Sequence, residues 1–478
     1  MARRWSLTVA LVLAAVIGRA GTGPEFSRYF LPKTLRVDLY HTGMRGQEVF
    51  ALDQLVEQPL WAGSRTNLVD TLNLGKYLVK LFDLSTNQLI YSRGFCSIFG
   101  EWETTDEARS GIARTFHESV LVPFPRRPVQ LVIAKRVEDP RAQNAFRDLF
   151  WLELDLSRTS VRAEPARYPF AVRRILGDGN PERKVDVLIL GDGYTASEMS
   201  KFRKDVGRFV GELFRMSPFK EHRSDFNVWT IEVVSEDSGI DEPDRGVWRR
   251  NALGCSYNTF GTPRYVLTLE NKVVRDIAAM APYDQLYLIV NSERYGGGGI
   301  FNLYSVCYSG TERPAEKWWA DYVFVHEFGH AFAGLGDEYY SSSVSYVDFY
   351  PRGVEPWEPN LTALLQPSSL KWKDLVDPNV PLPTPWEKAR YDSLAALRAS
   401  LVARGVPSDS LVRLESEMTQ LLRNQTYWGK VGAYEGAGYT STGLYRPYLD
   451  CRMFSKSLTD FCPVCQRAIE RVIRFLTE

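Results

Sequence analysis

Histidine is scarce in this sequence. Only His41, His117, His222, His326 and His330 occur among 478 residues, so a site built from many imidazoles is excluded. Neither sign of charge is in excess: 58 Lys and Arg stand against 58 Asp and Glu. No basic surplus exists to neutralise a phosphate backbone, which argues against nucleic acid as a partner. Cysteine is sparse and unevenly placed. Cys255, Cys307, Cys451, Cys462 and Cys465 lie in the second half, and Cys96 alone in the first. Cys462-Pro463-Val464-Cys465 reads as a redox pair or half a zinc ribbon, but no second CxxC completes a four-cysteine site. A structural disulfide, with Cys451 as one partner, is the expectation.

Long apolar runs are missing too, except at the start. Residues 1–20 combine Arg3 and Arg4, an apolar stretch from Trp5 to Ile17, and the small-x-small end Gly18-Arg19-Ala20. That is the pattern of a cleaved secretory signal peptide, and the stretch is shorter than the roughly 20 residues a membrane span needs. The expected location is secreted, periplasmic or extracellular, with no stable membrane association after signal cleavage.

What is present suits packed domains. Apolar residues make up 44%, aromatics 13% and charged residues 24%, enough for cores in the two to three domains that the length implies. From Leu35 to Leu156, short β-prone runs alternate with polar turns such as Ser85-Thr86-Asn87, which predicts an all-β sandwich over residues 26–160. His41 and His117 stand alone among those strands and read as structural residues. The sequence turns polar at 160–167, a linker. Residues 169–478 mix both periods and predict a mixed α/β domain. Val185 to Leu190 reads as a buried strand ending at Gly191-Asp192-Gly193. Thr195 with Glu198 forms a capping box, and Phe202, Val206, Phe209, Val210 and Leu213 give the following helix its apolar stripe. Further strands are expected at Phe226–Val234 and Leu286–Asn291. Residues 346–427 read as an insertion carrying a polar helical hairpin broken at Gly405-Val406-Pro407.

The chemistry concentrates in Tyr322 to Ala333. The pattern there is helical, so His326 and His330, four apart, share a face and can reach one ion. A catalytic zinc takes three protein ligands and keeps a fourth position for water. Glu327, beside the first histidine, is placed to act as general base. A chance HExxH would leave two imidazoles and a carboxylate buried together without partners. The position that holds histidine in HExxHxxGxxH is Gly336 here and only His222 remains in this region, so a carboxylate, an ordinary zinc ligand, is expected as the third. Asp337 is the expected ligand, Glu338 the next choice, and a distant glutamate on a later helix the third.

HEFGHAFAGLGDEYY at 326–340 and ILGDGYTASE at 189–198, with Asn251–Arg264, Leu370–Pro385, Tyr434–Pro447, Cys451-Arg452-Met453 and Phe461–Cys465, resemble the IgA-peptidase family of secreted zinc metalloendopeptidases, peptidase family M number sixty-four. The likeness spans nearly all of the second region and, less specifically, the first. It implies a zincin-like, metzincin-related catalytic domain following the sandwich, one Zn²⁺ per chain on His326 and His330, Glu327 as the catalytic residue, and an extended polypeptide or protein as substrate. Immunoglobulin itself does not follow from it. Met453 reads as a Met-turn beneath the metal or a gap-filling core residue. The oxyanion donor is open among Tyr445, Arg446, Tyr339 and Tyr340. Gly296 to Gly299 form either a strand edge that pairs with substrate or a plain loop. Glu236 to Glu242 reads as a solvated turn rather than a calcium loop. The competing functions are an exported β-sandwich binding protein or adhesin with a structural metal only, and an exopeptidase.

Overall fold

The computed structural model describes residues 23–478 apart from 143, 164–166, 312, 314–316, 342–348, 407 and 458. The expected signal peptide, part of the linker and the first residues of the expected insertion lie outside the described residues.

The first region is β-rich, as its alternation predicts. Its strands are β1 (Phe30–Met44), β2 (Gln47–Gln58), β3 (Tyr77–Asp83), β4 (Gln88–Phe95), β5 (Arg114–Pro125), β6 (Val129–Arg136) and β7 (Phe146–Leu154). One sheet runs β5-β1-β2 with a two-residue strand at its edge, the other β4-β3-β6-β7. In β3, Tyr77, Val79 and Leu81 are buried while Leu78, Lys80 and Phe82 are half-buried, the two-residue period of a strand with one face on a core. That core gathers Leu35, Val37, Leu55, Val122, Leu131 and Ile133 from both sheets.

The second region is built on a six-stranded sheet. Its strands are β8 (Val172–Leu176), β9 (Val185–Asp192), β10 (Phe226–Ile231), β11 (Gln285–Val290), β12 (Gly297–Ile300) and β13 (Tyr304–Tyr308). Their order is β12-β13-β11-β9-β10-β8. β10, β9, β11 and β13 are parallel, and the two edges are antiparallel. Every residue of β9 is buried, as expected of a central parallel strand covered on both faces. Thr195 and Glu198 form the predicted capping box ahead of α1 (Met199–Leu213), whose buried stripe is the predicted one. α2 (Lys317–Ala333) packs on the sheet, with Phe324 stacked between Phe209 at 4.7 Å and Tyr287 at 4.0 Å. The hairpin expected around Gly405 is α3 (Lys388–Ala403) and α4 (Ser408–Arg423), and the chain closes with the hairpin β14 (Tyr434–Ala437) and β15 (Thr440–Arg446), then α5 (Pro463–Thr477).

The two regions are not loosely strung. Trp102, Phe116 and Phe99 of the first join the core of the second, buried Arg36 pairs with Asp276 at 2.7 Å, and Cys96 N donates to Phe301 O at 2.9 Å. Among the described residues, no helix is long and apolar enough to cross a membrane. The expected disulfide at Cys451 is not formed, since all six cysteines are buried free thiols. Cys451 faces more than one partner, as described below.

Candidate active site

α2 carries His326, Glu327 and His330, and Gly334, at φ +60, turns the chain out of the helix. The positive φ explains the glycine: a side chain here is strained, and its Cβ would meet Trp357 at 2.7 Å. The chain then runs back along the helix through residues 337–339, which lie beside β14 and β15: Gly438 N donates to Asp337 O at 2.9 Å and Tyr439 N to Tyr339 O at 3.1 Å. Successive side chains of an extended segment point to opposite sides. Asp337 and Tyr339 therefore line the cleft, while Glu338 is turned into the interior, fully buried. This alternation brings Asp337, and not Glu338, to the two histidines.

Three donor atoms converge. His326 Nε2 lies 3.1 Å from His330 Nε2, and Asp337 Oδ1 lies 3.0 Å and 3.3 Å from the same two nitrogens. The opposite ring nitrogens settle the tautomers: His326 Nδ1 faces Arg452 O at 3.0 Å and His330 Nδ1 faces Leu335 O at 2.5 Å. A carbonyl only accepts, so each Nδ1 carries the proton and, in a neutral ring, each Nε2 presents a lone pair. Asp337 Oδ1 is buried without a hydrogen-bond partner, and its Oδ2 accepts from the Tyr439 hydroxyl. Three lone pairs crowded into one corner repel one another unless a cation sits among them. Two imidazoles and a carboxylate are an ordinary zinc set.

The closeness of these groups also shifts proton affinities. Burial alone would lower the His330 imidazole, but the Asp337 carboxylate beside it reverses this and raises it to about 9. Burial would likewise raise Asp337, yet the two imidazoles hold it well below the usual carboxylate range. Glu327 is raised by burial, an effect opposed by both imidazoles and Arg264 and reinforced by Asp337.

β12 is a strand, not a plain loop. Its glycines let it lie against α2: a Cβ on Gly299 would fall 2.4 Å from Glu327 O, and one on Gly297 2.7 Å from Val323 Cγ1. Part of its outer edge is taken, because Gly297 N donates to Arg264 O and Val266 N to Gly297 O, both at 3.1 Å. By strand alternation the next outward backbone groups are those of Gly299, which faces the cleft with Glu327, His330 and Asp337.

Other expected residues divide. Met453 is fully buried near Gly329, between the two histidines in sequence. Its turn also supplies Arg452 O to His326 and Met453 O to Glu338 N. Tyr445 and Arg446 do not reach the cleft: Tyr445 pairs through its backbone with Thr362, and buried Arg446 donates to Gly436 O at 2.7 Å. Tyr340 bonds Asp392, which leaves Tyr339 in the cleft. The acidic run at 236–242 is occupied by arginines, Asp237 by Arg250 and Glu242 by Arg294. Sequence reasoning missed Tyr439 and Arg264, which also line the cleft. Both lie inside segments that carried the family likeness, but nothing local set them apart.

The model of the IgA Peptidase M64 family matches residues 174–473, and that of the Peptidase M64 N-terminus matches 25–147. The chain belongs to the IgA Peptidase M64 family. This M64 member is a metalloendopeptidase with a separate N-terminal domain, and its substrates are proteins or peptides. No curated protein matches the chain.

Proposed function

We propose that this M64 peptidase is a secreted zinc endopeptidase with a zincin-like catalytic domain, in which His326, His330 and Asp337 hold the metal and Glu327 is the general base. The observation that carries this reading is the triangle of Nε2, Nε2 and Oδ1 atoms, 3.0–3.3 Å on a side, at the floor of a cleft that Glu327 also lines. When bound, zinc supplies Lewis-acid polarisation of the scissile carbonyl and of the attacking water. The chain's own residues do the rest. The carbonyls of Arg452 and Leu335 fix the imidazole tautomers, and the Tyr439 hydroxyl holds Asp337 so that Oδ1 faces the rings. Glu327, next to His326 on the helix and lining the cleft, is placed to take a proton from water and pass it to the leaving amine. Gly299 offers backbone to an extended substrate, and Arg264 and Tyr339 are the cleft's polar groups for the carbonyl oxygen. Export rests on the leader-like residues 1–20.

The test is Glu327→Gln. Zinc content and melting temperature are expected to stay near those of the parent, while cleavage of an unfolded protein falls by about 10²–10⁴-fold. Unchanged cleavage in this variant would reject the assigned base.

A further inference from the structure

A second group of metal-ligating side chains lies behind the first. The carboxylate of Glu338 and the thiols of Cys451, Cys462 and Cys465 place one ligand atom each within 4.8 Å of all the others, and all four residues are buried. They come from three places in the chain. Glu338 is the neighbour of Asp337 and points the opposite way. Cys451 opens the turn that carries Arg452 and Met453. Cys462 is the N-cap of α5, and Cys465 lies in its first turn, where unpaired N–H groups and the helix dipole favour thiolates.

The distances suit coordination better than pairwise bonding. Cys451 Sγ and Cys465 Sγ are 3.8 Å apart, about the edge of a tetrahedron with zinc–sulfur bonds of about 2.3 Å and well beyond a disulfide of about 2.05 Å. Cys465 Sγ lies 3.2 Å from Glu338 Oε1, and Cys451 Sγ accepts from Cys462 N at 3.2 Å. One disulfide among three thiols would strand the third thiol and the carboxylate. A second observation points the same way: Glu338 is 0% exposed and its Oε2 has no hydrogen-bond partner. The nearby buried cation does not supply one: the Nη atoms of Arg446 donate to the carbonyls of Gly436 and Leu449, and its Nε has no hydrogen-bond partner. Burying a carboxylate oxygen with nothing to meet it is costly.

We propose that Cys451, Cys462, Cys465 and Glu338 form a second, structural site for a thiophilic divalent cation, zinc by its ligand set, which closes all four positions and leaves none for water. It replaces the expected disulfide, and the fourth ligand that no second CxxC supplies is Glu338. The site ties the segment bearing Asp337 to the Met453 turn and to α5. It is independent of the reaction assigned above and brings the metal count from one per chain to two.

The experiment is metal analysis and cobalt substitution of the full chain. Zinc-loaded protein is expected to carry two ions per chain. Cobalt-loaded protein should show the intense near-ultraviolet sulfur-to-cobalt charge-transfer band of a thiolate site, which nitrogen and oxygen ligands cannot produce. Intact mass after denaturing alkylation should show six labelled cysteines. C465S should lose the band and one ion. H326A should lose one ion and keep the band, which separates failure of this site from failure of the catalytic reading. A single ion with no sulfur band in the parent protein, or a disulfide between any two of the three cysteines, would overturn the proposal. The parent protein decides the matter even where a variant does not fold.

Discussion

Each half of the molecule buries histidine against carboxylate, and the two arrangements are chemical opposites. In the N-terminal domain His41 spends both nitrogens on acids, Nδ1 on Glu118 at 2.9 Å and Nε2 on Glu48 at 3.0 Å. Its ring is stacked between Phe50 and Phe99, each 3.9 Å away. Nothing is left to bind. In the catalytic domain His326 and His330 direct Nδ1 to backbone carbonyls and turn both Nε2 atoms toward one shared carboxylate oxygen, Asp337 Oδ1. The candidate metal site thus differs from the ion pair in where the second nitrogen of each ring points, not in the company of an acid.

The sharpest way to break this contrast is Asp337→Ala. It should lose the zinc held by the histidines and reduce cleavage to background, as read by metal analysis and a peptide assay, whereas removing an acid beside His41 should change neither. The next largest effect belongs to the ion pair. His41→Leu leaves Glu48 and Glu118 buried with one partner fewer, a loss of about 3–5 kcal/mol. Chemical denaturation would register it, with zinc content unchanged; loss of metal would show that the two sites are not independent. Tyr439→Phe removes the hydroxyl that holds Asp337 and should weaken zinc affinity by about 10–100-fold, measured by competition with a chelator. An unaffected affinity would mean that Asp337 needs no orienting partner.

The smallest effect is a pH dependence. Burial alone would raise Glu48, but His41 and Lys135 bring it down from 4.5 to about 2. A lowered folded value means stability that is present above 4.5 and lost as pH falls toward about 2. His41 is shifted the other way: burial would lower it, but Glu118 and Glu48 raise it. Its contribution is full below its usual 6.5 and fades as pH climbs through the raised value. Thermal melts of the parent should therefore weaken on the acid side, and Glu48→Gln should flatten that limb; an unchanged acid slope in the variant would remove Glu48 as its cause.

Much of this was legible in the sequence because it depends on near neighbours. The capping box at Thr195, the stripe of α1 and the i, i+4 pair on α2 each need only one turn of helix. β9 was legible because a strand buried on both faces is dominated by apolar residues, here Val187 to Leu190. The strand at 226–234 was read three residues too long, since β10 ends at Ile231, whereas Val233 and Val234 continue the β-prone composition beyond it. The choice between Asp337 and Glu338 needed the extended segment at 337–339, which is set by Gly438 and Tyr439 about a hundred residues later. The cysteines misled for the same reason. CxxC invites a search for another CxxC, and the fourth member of the cluster is a glutamate 113 residues before Cys451.

By itself the sequence determined the helix that carries His326, Glu327 and His330 and the β-rich domain ahead of it, because local spacing fixes which side chains share a helix face or a strand face. Tertiary structure alone decided which carboxylate joins the histidines, which tyrosine holds it and what the three clustered cysteines meet. Those relations join segments far apart in the chain, and their geometry exists only once the sheet, the returning segment at 337–339 and the final helix are packed together.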